Sequence, residues 1–388
     1  MKKCVLIVSM FLFCCLASAQ EGAVLRSVEE KNKELQTLRK QGEARKLENR
    51  TGLTLSAPEV GFDYLWGSPS EIGSRKDFNV TQRFDLSTIV GSKRALSDAR
   101  NRMVDELYGV ERRRLLLQVR FLCVNMVYNN IRLQEMNRRL ADADELAKVY
   151  ASRLAKGDAN VLEYNKAQLN RLLAAGRVRQ VEVDAESLLS ELVLLNGGDS
   201  IHFDAEQYEP ISLPENQDSF YAEVEANNPQ LHYAMAEVEC GERQLRLNRT
   251  DALPTLSAGY MGEWVSDENY QGATFGLSIP LWTNKNKVKQ SKAAVVALTS
   301  QLDDVRTQLR VKVVALYKKT AELRLLAEEY RNMLMRYNSQ ELLKKALDAG
   351  QISLLEYLTE VTLYYEAVDL QNAAERDYRL ALSELLWY

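Results

Sequence analysis

Proline and glycine are both scarce in this chain of 388 residues, at 7 and 18. Their scarcity excludes a loop-rich or collagen-like protein and favours long helices. No proline falls between Pro69 and Pro210 and none after Pro280. An interior proline would cost a helix ~3 kcal/mol, so both stretches are free to run as helix. Histidine occurs only as His202 and His232, and the five cysteines are scattered, which leaves no His/Cys metal site. Basic residues are not in excess: 50 Lys and Arg against 54 Asp and Glu give a formal charge of −4. That excludes a strongly basic nucleic-acid binder. Past the N-terminus no stretch is apolar enough for a membrane helix, so any membrane role must come from strands. No nucleophile constellation, phosphate loop or paired-carboxylate site stands out from ordinary helix surface. No catalytic residue, metal or cofactor is expected, and function must lie in architecture.

What is present begins with a targeting signal. Lys2 and Lys3 precede an apolar run from Val5 to Leu16, closed by Ala17-Ser18-Ala19. This order marks residues 1–19 as a secretory signal cleaved after Ala19, too short to span a bilayer. Phe11 and Phe13, before Cys14 and Cys15, are too bulky for a lipoprotein cleavage site. Losing Lys2 and Lys3 takes the formal charge from −4 to −6. Cys123 and Cys240 remain, read as two buried free thiols, although an oxidising compartment would permit a disulfide.

The mature chain is written twice. Lys156-Gly157-Asp158-Ala159-Asn160-Val161-Leu162-Glu163-Tyr164 matches Ala349-Gly350-Gln351-Ile352-Ser353-Leu354-Leu355-Glu356-Tyr357 at an offset of 193. Asn49-Arg50-Thr51 recurs as Asn248-Arg249-Thr250, offset by 199. Two repeats follow, 20–198 and 199–388. The first reads as a helix near 24–50, a β-hairpin at about 53–90, a long helix 93–156 and a return helix 158–195. The second reads as a linker 199–220, a helix 222–250, a hairpin 253–283, a long helix 286–349 and a return helix 351–388.

The lengths agree with one another. Both long helices hold 64 residues, roughly 96 Å at 1.5 Å per residue. A return helix of 38 residues stacked on a short helix spans about the same distance. In the second rod Val295, Leu298, Leu302, Val305, Leu309, Val313, Leu316, Thr320, Leu323, Ala327, Tyr330, Leu334 and Tyr337 recur every three or four residues. That is a coiled-coil seam. Leu117, Phe121, Val124, Tyr128 and Ile131 continue the pattern in the first repeat.

The hairpins alternate. Val60, Phe62, Tyr64 and Trp66 are interleaved with Gly61, Asp63 and Leu65, and Phe78, Val80, Phe84 and Leu86 oppose Asp77, Asn79, Thr81 and Arg83. Apolar-out, polar-in alternation over about ten residues is the pattern of a transmembrane strand. Tyr64, Trp66, Tyr260, Trp264 and Trp282 stand where membrane-interface aromatics would. One chain supplies only four strands, while barrels need at least eight and lipid tolerates no open sheet edge. A dimer would give eight strands and a filled interior; a trimer would give twelve, with room for a lumen.

Together with Asn228-Pro229-Gln230-Leu231, Leu253-Pro254-Thr255-Leu256-Ser257, Leu277-Ser278-Ile279-Pro280-Leu281 and the Ala349-Gly350 tip, this order of elements resembles the TolC family over essentially the whole mature chain. The resemblance implies a mainly α fold with a β-barrel segment: a homotrimer with a 12-strand outer-membrane β-barrel and a periplasmic α-helical barrel. It implies an outer-membrane channel in a Gram-negative cell, set in outer-membrane lipid. A periplasmic adaptor and an inner-membrane pump would be its partners. It places adaptor docking at the tips Lys156, Gly157, Asp158, Ala349, Gly350 and Gln351, and makes Glu163 and Glu356 candidates for the periplasmic gate. The competing reading is a periplasmic coiled-coil scaffold whose hairpins form a soluble sheet.

Overall fold

The computed structural model describes residues 20–265, 268–282, 284–337 and 339–388. The expected signal, 1–19, lies outside the described residues. The chain is mainly helical with one small antiparallel sheet, in the order α1 (20–31), α2 (Lys33–Asn49), β1 (Glu59–Trp66), β2 (Ser74–Phe84), α3 (Leu86–Ile89), α4 (Ser92–Lys156), α5 (Val161–Leu195). There follow α6 (Gln217–Asn227), α7 (Pro229–Thr250), β3 (Thr255–Val265), β4 (Glu268–Ser278), α8 (Lys287–Arg336), α9 (Gln340–Asp348) and α10 (Leu354–Leu386).

Three of the expected helices are interrupted. The helix near 24–50 breaks at Asn32 and the helix 222–250 breaks at Asn228. Each asparagine caps the helix that follows: Asn32 Oδ1 accepts from Leu35 N (2.9 Å), Asn228 Oδ1 from Leu231 N (3.1 Å). Pro229 then sits at the first helical position, where a missing N–H costs nothing. The long helix 286–349 is likewise two: α8 ends at Arg336 and α9 starts at Gln340. The intervening Tyr337-Asn338-Ser339 joins three residues of low helix propensity.

The chain divides into two compact units. One contains the residues up to Gln36, Arg112–Ala226 and Arg310–Tyr388. In it α4 is enclosed on several sides, with Leu115, Leu116, Val119, Leu122, Val124, Met126 and Val127 all buried. Met136 packs with Val178 and Val181 of α5, and Tyr150 with Ala167 and Leu354. Arg139 bridges to α10: its guanidinium donates to Asp369 (2.8 and 3.1 Å) and to Glu135 (2.8 Å), and it stacks 4.3 Å from the Tyr365 ring centre. The irregular segment 199–216 is tied down by side chains reaching its carbonyls. Asn130 Nδ2 donates to Ala205 O (3.0 Å), Arg379 Nη1 to Glu209 O (3.0 Å) and Tyr317 Oη to Pro214 O (2.6 Å).

The other unit contains Thr37–Glu111 and Asn227–Leu309. Here the repeated Asn-Arg-Thr triplets acquire a purpose. Asn49 Nδ2 donates to Asn101 Oδ1 of α4 (3.0 Å), and Asn248 Nδ2 to Ser291 Oγ of α8 (2.5 Å), so each ties a short helix to the rod that leaves the hairpin. Gly241 lets α7 approach α8, since a Cβ there would lie 2.8 Å from Leu298 Cδ1. The sheet has the order β1-β2-β3-β4, antiparallel throughout. Among the described residues its outer strands β1 and β4 each keep an unpaired edge.

Candidate functional site

Two features are candidates for function: the sheet and the pair of helix-to-helix tips. In the sheet the register sorts every side chain by parity. One face gathers Val60, Phe62, Tyr64 and Trp66, then Phe78, Val80 and Phe84, then Leu256, Tyr260 and Trp264, then Ala273, Phe275 and Leu277. The opposite face gathers Asp63, Arg75, Asp77, Asn79, Thr81, Arg83, Ser257, Glu263 and Thr274, interspersed with Leu65, Met261, Val265 and Tyr270. Charges there are paired: Arg75 to Asp77 (2.9 Å) and Glu263 (3.2 Å), Arg83 to Glu59 (2.9 Å). The apolar face is exposed at the outer strands, with Phe62 at 65% and Phe275 at 85%, and the opposite face is exposed there too, with Leu65 at 53% and Tyr270 at 60%.

All five candidate interface aromatics are exposed. Tyr64, Trp66 and Trp264 lie toward the hairpin turns, Tyr260 nearer the middle, and Trp282 beyond the opposite end of β4. Tyr260 Oη donates to Gln271 Oε1 (2.7 Å).

The tips are built alike. Gly157 and Gly350 take φ of +82° and +70°, the left-handed conformation that ends a helix at low cost only for glycine. At the first, Gly157 N donates to Leu154 O (3.1 Å) and Asp158 N to Arg153 O (2.8 Å). At the second, Gly350 N donates to Leu347 O (3.0 Å) and Gln351 N to Ala346 O (2.8 Å). Both are Schellman closures. Lys156, Gly157, Asp158, Ala349, Gly350 and Gln351 are all exposed.

Each return helix opens with a capping box. Asn160 Oδ1 accepts from Glu163 N (2.9 Å) while Asn160 N donates to Glu163 Oε2 (2.9 Å). Ser353 Oγ accepts from Glu356 N (3.2 Å) while Ser353 N donates to Glu356 Oε2 (2.7 Å). The two gate candidates thus have a local task, folding back over the helix start. The Ser353 hydrogen bonds hold the Glu356 carboxyl below the usual carboxylate range. Tyr357, one residue on, is buried against Leu347 and Val361, and burial raises its phenol.

Sequence reasoning gave no role to Leu162 and Leu355, equivalent in the two repeats and 71% and 56% exposed beside the tips. It also missed the ties near the tips. Gln340 Nε2 donates to Asp142 Oδ2 (3.1 Å), and Lys344 pairs with Glu145 (2.6 Å), raising the ammonium's pKa and lowering the carboxyl's. These pairs lie about two hundred residues apart, and no local spacing signals them. Among the described residues no group of His, Cys, Asp and Glu could hold a metal ion. None of the described helices is long and apolar enough to cross a membrane. Cys123 and Cys240 are both free, the first buried and the second partly so.

The sheet and the two tips, each described in its own unit, are what the comparisons with known proteins bear on. Residues 220–386 match the outer membrane efflux protein family, and the resemblance to the TolC family stands on that match. A membrane protein from Pseudomonas aeruginosa is similar at 17% identity and TM-score 0.73, covering 95% of this chain and 90% of its own. The outer membrane protein VceC of Vibrio cholerae is similar at 12% and 0.71, covering 95% and 96%. The outer membrane channel CmeC of Campylobacter jejuni is similar at 14% and 0.66, covering 95% and 85%. These likenesses show the fold. No curated relative matches the sequence.

Proposed function

We propose that this chain is the outer-membrane channel of a tripartite efflux or export system. Three copies join their sheets edge to edge into a 12-strand barrel in outer-membrane lipid, and their helices form a periplasmic α-barrel. The observation that carries this reading is the sheet itself. Its two edges are unpaired and one face is apolar and exposed, a combination that neither water nor lipid tolerates in an isolated chain. Closure into a barrel removes both edges, and lipid covers the face. The polar face, with Asn79, Thr81, Ser257 and Thr274, then lines a wet lumen.

The exposed tips dock a periplasmic adaptor, which couples the conduit to an inner-membrane pump. Leu162 and Leu355, exposed in equivalent places, supply that contact with apolar area, and Gly157 and Gly350 supply its shape. Glu163 and Glu356 contribute twice. Their capping boxes fix the start of the return helices, and three copies of each form acidic rings that favour cations at a closed mouth. The lowered pKa of Glu356 keeps its carboxylate charged. Substrate movement is passive, and the energy comes from the pump.

The deciding experiment is the mass of the detergent-extracted protein by light scattering, corrected for bound detergent. Three chains with detergent-dependent solubility support the channel. A water-soluble monomer or dimer overturns it and leaves a helical scaffold.

A further inference from the structure

One lysine is out of place. Among the described residues of the sheet's apolar face, Lys76 is the single charged side chain; the other charges of β1 to β4 fall on the opposite face. Its row across the sheet reads Tyr64, Lys76, Trp264, Asn269. The Lys76 ammonium stands 5.8 Å from the centre of the Tyr64 ring. On the other side Trp264 folds back over Gly262, its indole within 2.9 Å of where a Cβ on that residue would lie. Lys76 is exposed and no carboxylate pairs with it among the described residues.

We infer that Lys76, between Tyr64 and Trp264, is a binding site for the phosphate of an anionic lipid headgroup in the leaflet that the hairpin turns face. This rests on the membrane reading of the sheet. A lysine on a lipid-facing strand is costly at the bilayer midplane and nearly free at the interface. Lys76 lies two residues from the start of β2 at Ser74, about 7 Å from the turn at the strand rise of roughly 3.4 Å per residue. Its four-carbon stem can lie along the apolar face while the ammonium reaches headgroup depth. At that depth, with no protein anion beside it, charge complementarity selects a phosphate. Lys binds phosphate as a point charge and needs no bidentate frame. The flanking rings offer flat apolar surface to the same lipid's acyl or sugar part. Lys76 and Trp264 stand on the inner strands β2 and β3 and Tyr64 on β1 of the same chain, so one chain supplies all three residues.

The test is native mass spectrometry of the detergent-extracted protein with added diphosphorylated lipid A, against its dephosphorylated form and phosphatidylcholine. Wild type should retain the phosphorylated lipid preferentially. Lys76→Gln should weaken retention about fivefold, the worth of one lysine near an anionic lipid surface, and Lys76→Arg should restore most of it. Light scattering on each variant must first return the wild-type mass. Equal retention by wild type and Lys76→Gln, or no preference for the phosphorylated lipid, overturns the site while the channel stands. A protein that needs no detergent overturns both.

Discussion

The two outgoing rods and the two tips occupy equivalent places in the two repeats and compare differently. The tips agree hydrogen bond for hydrogen bond: a left-handed glycine, a Schellman closure and a capping box in each. The rods do not. α4 runs 65 residues unbroken, with core residues on several faces over 115–127. α8 runs 50 residues, gives way to the separate α9, and keeps one covered stripe from Val295 to Leu334. Val311, Leu325, Leu326 and Met333 stay exposed on its other sides. A rod covered by its own chain has its apolar residues buried, whereas α8 leaves apolar residues open that the proposed oligomer would cover. The tips share one turn geometry, whereas the rods differ in how much of each the chain itself covers.

The largest expected effect breaks that comparison at the rods. Leu115, 1% exposed on α4, should cost about 3 kcal/mol as Leu115→Ala through lost transfer energy and a residual cavity. Leu325, 56% exposed on α8, should cost the single chain within about 0.5 kcal/mol as Leu325→Ala. Denaturant unfolding of both variants, with and without conditions that would dissociate the proposed oligomer, separates the two. If Leu325→Ala matches Leu115→Ala in the single chain, the contrast between a covered and an open rod fails.

Next come the tip glycines. Gly350→Ala puts a Cβ into a left-handed conformation, which should cost about 1–2 kcal/mol, although nothing lies within 4 Å of the added atom. Gly157→Ala should cost the same, and unequal values would show that the tips agree in geometry but not in strain. Gly350→Pro should in addition abolish adaptor coupling with the oligomer intact, read by efflux in cells against light scattering of the extract. Unchanged efflux would count against docking at the tips.

How much of this was legible in the sequence depends on how local the signal is. The strands, the tip glycines and the stripe Val295–Leu334 were visible because alternation, left-handed glycines and heptad spacing are written within a few residues. Tyr337 read as the last seam position, yet it lies outside α8 and is 65% exposed. There the heptad count continued past the point where propensity gave out. Asn228-Pro229 is a helix-start signal by its chemistry, and it went unused for that purpose; Asn32, with no proline behind it, gave less warning. The Arg139–Asp369 bridge joins residues 230 apart in sequence, so no spacing rule could have found it. Glu163 and Glu356 show the reverse failure. Asn160-x-x-Glu163 and Ser353-x-x-Glu356 carry the N-cap and N3 residues of a capping box in plain view, but the glutamates drew attention as a charge at a mouth rather than as partners three residues from a cap.

A smaller effect sharpens the comparison at the helix starts. Ser353→Ala removes the side-chain half of a capping box and should loosen the first turn of α10 by about 1 kcal/mol, and Asn160→Ala should do the same for α5. Ser339→Ala should do almost nothing to α9, because Ser339 makes no side-chain cap hydrogen bond. Amide exchange in the first turn of each helix measures all three. Equal protection loss at α9 would mean that the break after α8 is capped after all.

The smallest effect is a pH dependence, and it decides between the two tasks of Glu356. Its folded pKa is depressed by the hydrogen bonds from Ser353. The stabilisation is therefore fully present above the ordinary glutamate value of 4.5 and is lost as pH falls through the lower folded value. Protection of the first turn of α10 should hold steady from neutral pH down to the ordinary carboxylate range and decline below it. Glu356→Gln keeps an acceptor for Ser353 N and so retains a capping box, but it has no proton to gain, and the decline should vanish. The same substitution removes negative charge from the proposed mouth. If cation preference in single-channel recordings drops in Glu356→Gln while helix-start protection at neutral pH is kept, the carboxylate serves the conduit as well as the cap. If protection holds and cation preference is also unchanged, the glutamate is there to start a helix, and the acidic ring has to be sought elsewhere.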